Sequence, residues 1–153
     1  MTTPTNLLQI TRQNTLSAIA GLNLDQINKI PAGFTGNIAW HLGHMVATNQ
    51  GLLYRLSGQA VNLDPDFIER YKKGSVPSAP IDQTEFDFIK TALVQQIIQL
   101  KMDVDAGIFK TYTEYTTSYG NTIQNFEQAL FFVNVHESLH LGYVMALKRV
   151  VLQ

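Results

Sequence analysis

The chain has 153 residues, 45% of them hydrophobic and 15% charged, and it contains no cysteine. This length and composition predict one globular domain over residues 1–153 and exclude an intrinsically disordered chain. The formal net charge of −1 gives no electrostatic reason to bind nucleic acid or an anionic membrane. Without cysteine, disulfides, thiolate metal ligands and a cysteine nucleophile are excluded, so a metal ion would need histidine, carboxylate or water ligands.

The start of the chain and its hydropathy bear on localisation. Residues 1–5 lack the basic and apolar regions of a signal peptide. No apolar run approaches the ~20 residues that a membrane span needs. We therefore expect a cytoplasmic protein.

Apolar residues at helical spacing predict four long helices. In chain order they cover residues 6–21, 37–56, 82–106 and a last helix that runs from 121 or 122 nearly to 153. Shorter helical turns are expected at 24–29 and, within the long connection 57–80, at 65–71. The Thr- and Tyr-rich loop 108–121 has the composition of a short strand but no obvious partner strand. Four helices with one long crossover connection between helices 2 and 3 predict an all-α four-helix bundle.

Polar residues before the apolar runs predict where the helices begin. Thr35 follows a Pro-Ala-Gly breaker and is a suitable N-cap for the second helix. Thr84 and Asp87 resemble a capping box at the start of the third helix. Asn121 or Thr122 is predicted to cap the fourth.

Two histidines four residues apart, His136 and His140, project from one side of the last helix. Apolar residues share that side at helical spacing: Phe126, Ala129, Phe132, Val133, Tyr143, Leu147 and Val151. Burying imidazoles without partners is costly. The pair is therefore expected either to share a metal ion or to hydrogen-bond to core side chains or water.

The run from His136 to His140 also matches the short H-E-x-x-H motif of zinc proteases, in which the Glu is the general base. Residues 141–153 contain no Asp, Glu, His or Cys that could be the third ligand. The extended form of the motif wants Gly and His where this chain has Tyr143 and Ala146. A zinc-dependent hydrolase using His136, Glu137 and His140 is thus a third functional alternative, and any third ligand must lie upstream.

The only other histidines, His41 and His44, both lie on the second helix. In a four-helix bundle, ligands from facing helices can converge on one ion. Three imidazoles leave a coordination position open for water or substrate, which is typical of reactive metal sites. Such ligands suit zinc, nickel, iron or copper better than calcium.

The segment 37–44, Asn-Ile-Ala-Trp-His-Leu-Gly-His, together with a last helix that carries His136-x-x-x-His140, resembles the DinB-like family. These are DNA-damage-inducible, metal-binding four-helix proteins, and the resemblance spans almost the whole chain. It implies a DinB-like bundle whose metal ligands are His44, His136 and His140. His41 then becomes a neighbour that supports the site, contacts a partner subunit or lies on the surface.

Known members of the wider superfamily include bacillithiol S-transferases and a mycothiol-dependent isomerase. The resemblance therefore implies a metal-dependent thiol S-transferase that uses a divalent transition metal, zinc or nickel, and a low-molecular-weight thiol. Glu137 would act as general base or orient a ligand, with a surface ion pair as the alternative. Trp40 and Tyr143 would line the pocket, or simply pack at helical spacing. The competing class is a non-catalytic metal-binding stress-response or interaction bundle.

The expected partners follow from the same observations. A thiol S-transferase needs a small-molecule thiol and an electrophile. The second helix is apolar on two sides, so one side is expected to face the bundle core and the other a second subunit in a homodimer. Neither nucleic acid nor a membrane is expected as a partner.

Overall fold

Four long helices dominate the computed structural model, which describes residues 3–153. They are α1 (Pro4–Ile19), α3 (Ile38–Asn49), α5 (Gln83–Asp105) and α6 (Phe126–Val151). Two short helices, α2 (Leu24–Asn28) and α4 (Pro65–Tyr71), and a two-stranded sheet of β1 (Tyr115–Thr116) and β2 (Thr122–Ile123) lie in the connections. The predicted all-α bundle, with a long crossover before its third long helix, is confirmed.

The contacts between the four long helices define the bundle. Helix α1 packs against α5 and α6, and α3 packs against the same two helices. Helices α1 and α3 are therefore diagonally opposed, and both α5 and α6 are flanked on two sides. None of the helices in residues 3–153 combines the length and the apolarity that crossing a membrane would require.

Buried apolar side chains form two clusters inside this arrangement. One is built mainly from α3, α4, α5 and the second half of α6, and its fully enclosed members are Ile27, Ile38, Leu42, Met45, Val46, Ile89, Leu93, Val144 and Leu147. The other lies around the first half of α6, with Leu8, Leu53, Leu100, Ile123, Ala129 and Val133 fully enclosed. Each buried Leu, Ile or Val contributes about 1.5–3 kcal/mol relative to an exposed position, so these clusters provide the main drive for folding.

Two predicted caps are wrong because a neighbouring residue occupies the cap position. Helix α3 is capped by Asn37, not Thr35: the Asn37 side chain accepts a hydrogen bond from the backbone N–H three residues later at 2.8 Å. Helix α5 is capped by Asp82 in the same way, also at 2.8 Å. The proposed capping box of Thr84 and Asp87 therefore does not start this helix.

The start of the last helix is also later than predicted. Thr122 belongs to β2, which pairs antiparallel with β1, so neither Asn121 nor Thr122 caps α6. The cap is Asn125, whose side chain accepts a hydrogen bond from the backbone N–H three residues later at 2.9 Å. Each strand has only two residues, too few for a sequence pattern to show.

The predicted second helix, 37–56, changes type along its length. Its α-helical part ends at Asn49, and a π-helical turn (Gln50–Tyr54) and a 3₁₀ turn (Arg55–Ser57) continue it. Three consecutive residues of the π-helical turn, Leu52 to Tyr54, are buried, as are most residues of the α-helical part. Such π-helical turns often occur beside functional sites.

The buried side of α6 is rotated from the predicted stripe. The residues it buries are Ala129, Leu130, Val133, Asn134, Glu137, His140, Val144, Leu147 and Val151. Glu137, with no exposed surface, lies on this side, whereas Tyr143 is 46% exposed. On this side Glu137 meets a buried cationic partner on α1, described below.

Candidate metal centre

Three histidines from two helices meet between α3 and α6. One ring nitrogen from each of His44, His136 and His140 lies within 4.8 Å of the other two. Nε2 of His136 is 3.2 Å from Nε2 of His44 and 3.2 Å from Nε2 of His140. Nitrogen ligands of a tetrahedral zinc ion, each about 2.0–2.1 Å from the metal, lie roughly 3.3 Å apart. The spacing of the three nitrogens therefore fits one transition-metal ion.

The protonation state of these three rings is also suitable for binding a metal ion. Burial, together with the neighbouring imidazoles, lowers the pKa of His136 to about 3 and that of His140 to about 2. Burial also lowers the pKa of His44, although its hydrogen bond to a backbone oxygen opposes the shift. The rings are consequently neutral at physiological pH, and a neutral imidazole is the form that binds metal.

The tautomer of His44 is fixed by the crossover connection. Nδ1 of His44 donates to the main-chain oxygen of Tyr71, at the end of α4, over 2.6 Å. This leaves the lone pair of His44 on Nε2, the nitrogen that faces the other two histidines. Metal-binding histidines commonly have their second nitrogen held in this way.

Tyr71 reaches that position because the residue facing its ring on α3 is Gly43. A Cβ added at position 43 would lie 2.4 Å from ring atoms of Tyr71, so only glycine permits this approach of α4. The Tyr71 hydroxyl donates to a carboxylate oxygen of Glu85 on α5 over 2.6 Å. No sequence signal pointed to Tyr71, because its contribution to the site is a backbone oxygen.

His41 is held against His140. Nδ1 of His41 lies 2.8 Å from Nδ1 of His140, so one of these two nitrogens donates and the other accepts. Burial and the nearby His44 lower the pKa of His41 to about 4, which leaves it neutral and able to accept. When His140 donates through Nδ1, its lone pair is on Nε2, as the cluster requires.

His136 completes the cluster, but the protein does not provide hydrogen-bond partners for both of its ring nitrogens. Its Nδ1 is buried and has no hydrogen-bond partner within residues 3–153. Its Nε2 faces two other Nε2 atoms that both carry lone pairs when His44 and His140 donate as described. A single N–H cannot satisfy both fully, whereas a cation interacts favourably with all three lone pairs.

The two aromatic residues predicted to line the pocket pack against histidine rings. Trp40 stacks on His44 with ring centroids 4.6 Å apart, and its indole N–H donates to the Ser75 hydroxyl over 2.9 Å. Tyr143 stacks on His41 at 5.1 Å. Neither is among the residues that line the cavity at the cluster.

Glu137 follows His136 in sequence but points about 100° around α6 from it, toward α1. Both of its carboxylate oxygens accept hydrogen bonds from Arg12 on α1, at 2.6 and 2.8 Å. The side chains of Arg12 and Glu137 are 2% and 1% exposed, so Glu137 forms an ion pair, as the alternative interpretation held, but a buried one and not one at the surface. Burial raises the pKa of Glu137, and the Arg12 guanidinium opposes this shift. The carboxylate is directed at α1 and is not part of the histidine cluster.

A cavity of about 210 Å³ opens onto the three histidines. Its other walls are Thr48, Leu52, Lys73, Tyr115, Thr117, Ser118, Tyr119, Phe132 and Leu139. The hydroxyl of Thr48 lies 3.2 Å from Nε2 of His44. Helical spacing from His44 to Thr48 could have revealed that residue. Phe132 and Leu139 lie on α6 beside the histidines, and Leu52 lies on the π-helical turn after α3. Lys73, Tyr115, Thr117, Ser118 and Tyr119 come from connections whose course the sequence does not specify.

Comparison with known proteins agrees with this geometry. The sequence model of the DinB superfamily matches residues 7–144, which include all four histidines. Among curated proteins, no sequence matches the chain.

Proposed function

The chain belongs to the DinB superfamily, and we propose that it binds one divalent transition metal and acts as a metal-dependent thiol S-transferase. The observation that carries the proposal is the convergence of three neutral imidazoles from α3 and α6 beside an open cavity. His44, His136 and His140 would hold the metal, with zinc or nickel the best match to an all-imidazole set. An open cavity at three ligands is typical of a reactive centre, whereas structural sites are closed by four protein ligands.

The reaction we propose joins a low-molecular-weight thiol to a small electrophile. A bound divalent cation supplies the positive charge that favours the thiolate over the thiol. The thiol proton leaves to solvent, the sulfur forms a bond to an electrophilic carbon, and the leaving group departs with its bonding electron pair. Residues of the chain hold the reactants: Tyr71 and His41 orient the ligands His44 and His140, and the cavity walls confine the two substrates. Glu137 has no part in this proposal, because Arg12 occupies both of its oxygens.

The first experiment measures the metal. Protein is expressed without a polyhistidine tag, which would load such a site with nickel, and its metal content is determined by elemental analysis. We expect close to one zinc or nickel ion per chain, and loss of that ion in His136→Ala. Ser138→Ala is the matched control, because Ser138 is an exposed neighbour on the same helix and should leave the metal content unchanged.

The second experiment measures thiol transfer. Metal-loaded protein is assayed with a small thiol and monochlorobimane, an electrophile whose thiol adduct is fluorescent. We expect turnover in the wild type and in Ser138→Ala but not in His136→Ala. Protein without stoichiometric metal would contradict the metal centre. Stoichiometric metal without turnover on a panel of electrophiles would favour the non-catalytic metal-binding bundle.

A further inference from the structure

A second cavity continues outward from the one at the histidines. It measures about 260 Å³ and shares four wall residues with the inner cavity: Thr48, Leu52, Lys73 and Tyr115. Its remaining walls are Ala47, Gly51, Arg55, Leu56, Ile68 and Lys72. We call the two together the binding groove. The combined volume of the two cavities falls within the range of about 300–1,000 Å³ that is typical of small-molecule sites.

The charged residues of the binding groove are all cationic. Arg55, Lys72 and Lys73 line it, and no Asp or Glu does so among the residues described. Lys72 forms an exposed ion pair with Glu69, but Arg55 and Lys73 form none within residues 3–153. A divalent ion at the histidines would add further positive charge at the inner end. The electrostatic potential in the groove therefore favours an anion.

The uncharged walls differ between the two ends. Near the histidines the groove has the hydroxyl groups of Thr48 and Ser118, which can hydrogen-bond to a polar head. The outer cavity has the apolar side chains of Leu52, Leu56 and Ile68 in its walls, together with Arg55. The π-helical turn at Gln50–Tyr54 places Gly51 and Leu52 in this wall.

We propose that the ligand of this groove is a small organic anion, a thiol that carries a carboxylate. Its sulfur lies at the histidines and its carboxylate lies against Lys73, or against Arg55 in a longer molecule. This inference rests on the proposed function for the inner end, and it adds the class of thiol and the residues that select it. Lys73 borders both cavities, so it interacts with short and long ligands alike, whereas Arg55 borders only the outer one.

The test compares thiols of similar length whose far ends are anionic, neutral or cationic. Cobalt(II) replaces the native metal, and its thiolate charge-transfer absorption reports binding. The short probes are 3-mercaptopropionate, 2-mercaptoethanol and cysteamine, and the long ones are 6-mercaptohexanoate and 6-mercaptohexanol. We expect each carboxylate to bind at least about tenfold more tightly than its neutral analogue, and cysteamine to bind most weakly.

Substitutions then identify which basic residues cause the preference for carboxylate thiols. Lys73→Gln should reduce the carboxylate preference of the short and the long probes to about threefold or less. Arg55→Gln should reduce that of the long probe only. Lys29→Gln is the matched control, because Lys29 is exposed and borders none of the groove. Far-ultraviolet circular dichroism checks that each variant is folded.

The possible failures are distinguishable. If cobalt does not bind, or if no probe produces a thiolate band, the proposed function is wrong and this inference fails with it. If all probes produce the band with equal affinity, the thiol site stands and the inference about the anion is wrong. A carboxylate preference that survives in the Lys73→Gln/Arg55→Gln double variant would also overturn it.

Discussion

Arg12 and Glu137 form a two-point ion pair between the first and the last helix, with nitrogen–oxygen distances of 2.6 and 2.8 Å. The guanidinium also donates to the main-chain oxygen of Leu93 and to the side chain of Gln96, both on α5. One buried cation thus connects α1, α5 and α6. Glu137 is adjacent to His136 in sequence, so this ion pair lies within one helical turn of two of the three clustered histidines.

Removing one partner of this ion pair should destabilise the fold strongly. Arg12→Leu and Glu137→Leu are each expected to lower the free energy of unfolding by about 3–5 kcal/mol, because each leaves a buried charge without its partner. The double variant should be more stable than the sum of the single losses predicts. Urea unfolding followed by circular dichroism measures all three. Glu69→Gln, at an exposed ion pair, is the control and should change stability by no more than about 0.5 kcal/mol. Purely additive losses would contradict the coupling.

Loss of His41 should weaken metal binding without removing a ligand. In His41→Ala the Nδ1 of His140 loses its partner 2.8 Å away, so the ring is no longer held with its lone pair on Nε2. Such losses typically reduce metal affinity about 10–100-fold. Competition with a chromophoric zinc chelator measures the change. Tyr143→Ala removes the ring stacked on His41 but no hydrogen bond, and its affinity should stay near that of the wild type. Equal affinities in His41→Ala and wild type would assign His41 to packing alone.

Gly43→Ala should disturb the metal site indirectly, through the contact between α3 and α4. The new Cβ would lie 2.4 Å from the Tyr71 ring, so α4 must shift and the backbone oxygen that holds His44 must move with it. Overpacking of this kind costs about 1–3 kcal/mol of stability, and zinc affinity should also fall. Gly142→Ala on α6 is the matched control. It meets nothing within 4 Å, and its better helix propensity should raise stability by up to about 1 kcal/mol. Unchanged zinc affinity in Gly43→Ala would show that Tyr71 does not orient His44.

The metal-free protein should lose stability as the pH falls from 7 to 5. The pKa values of His41, His136 and His140 are lowered to about 4, 3 and 2, so the folded state stays unprotonated where the unfolded chain, with a histidine pKa near 6.5, takes up protons. The stability that depends on neutral histidines is complete above pH 6.5 and decreases below it, by up to about 1.4 kcal/mol per pH unit for each histidine. The pKa of Glu137 is raised by burial, so its contribution to the free energy of unfolding increases as the pH falls and opposes that of the histidines.

Urea unfolding of chelator-treated protein at several pH values checks this slope. His136→Asn removes one of the groups, so its stability should depend less steeply on pH than that of the wild type. A free energy of unfolding that is constant between pH 7 and 5 would contradict burial of neutral imidazoles at this site.

Much of the architecture follows from local patterns in the sequence. Apolar periodicity predicts the four long helices, and two glycines and three prolines within residues 57–80 predict the long crossover that contains α4. The spacing of His136 and His140 on one helix is a property of the α-helix itself. The only other histidines are His41 and His44, and the resemblance to the DinB-like family pointed to His44 as the third member of the cluster. The homodimer and the absence of nucleic-acid and membrane partners stay predictions.

What surrounds the histidines was decided only by the tertiary structure. The burial of Glu137 depends on Arg12, which is 125 positions away in sequence, and the tautomer of His44 depends on a backbone oxygen of α4. The basic wall of the groove comes from Arg55, on the 3₁₀ turn that continues α3, and from Lys73, just after α4. Periodicity reports which side of one helix is apolar, because that property repeats along a single segment. Periodicity does not predict which polar atom of another segment contacts that side. That contact determines whether a residue becomes part of a buried ion pair, a metal ligand or a pocket wall.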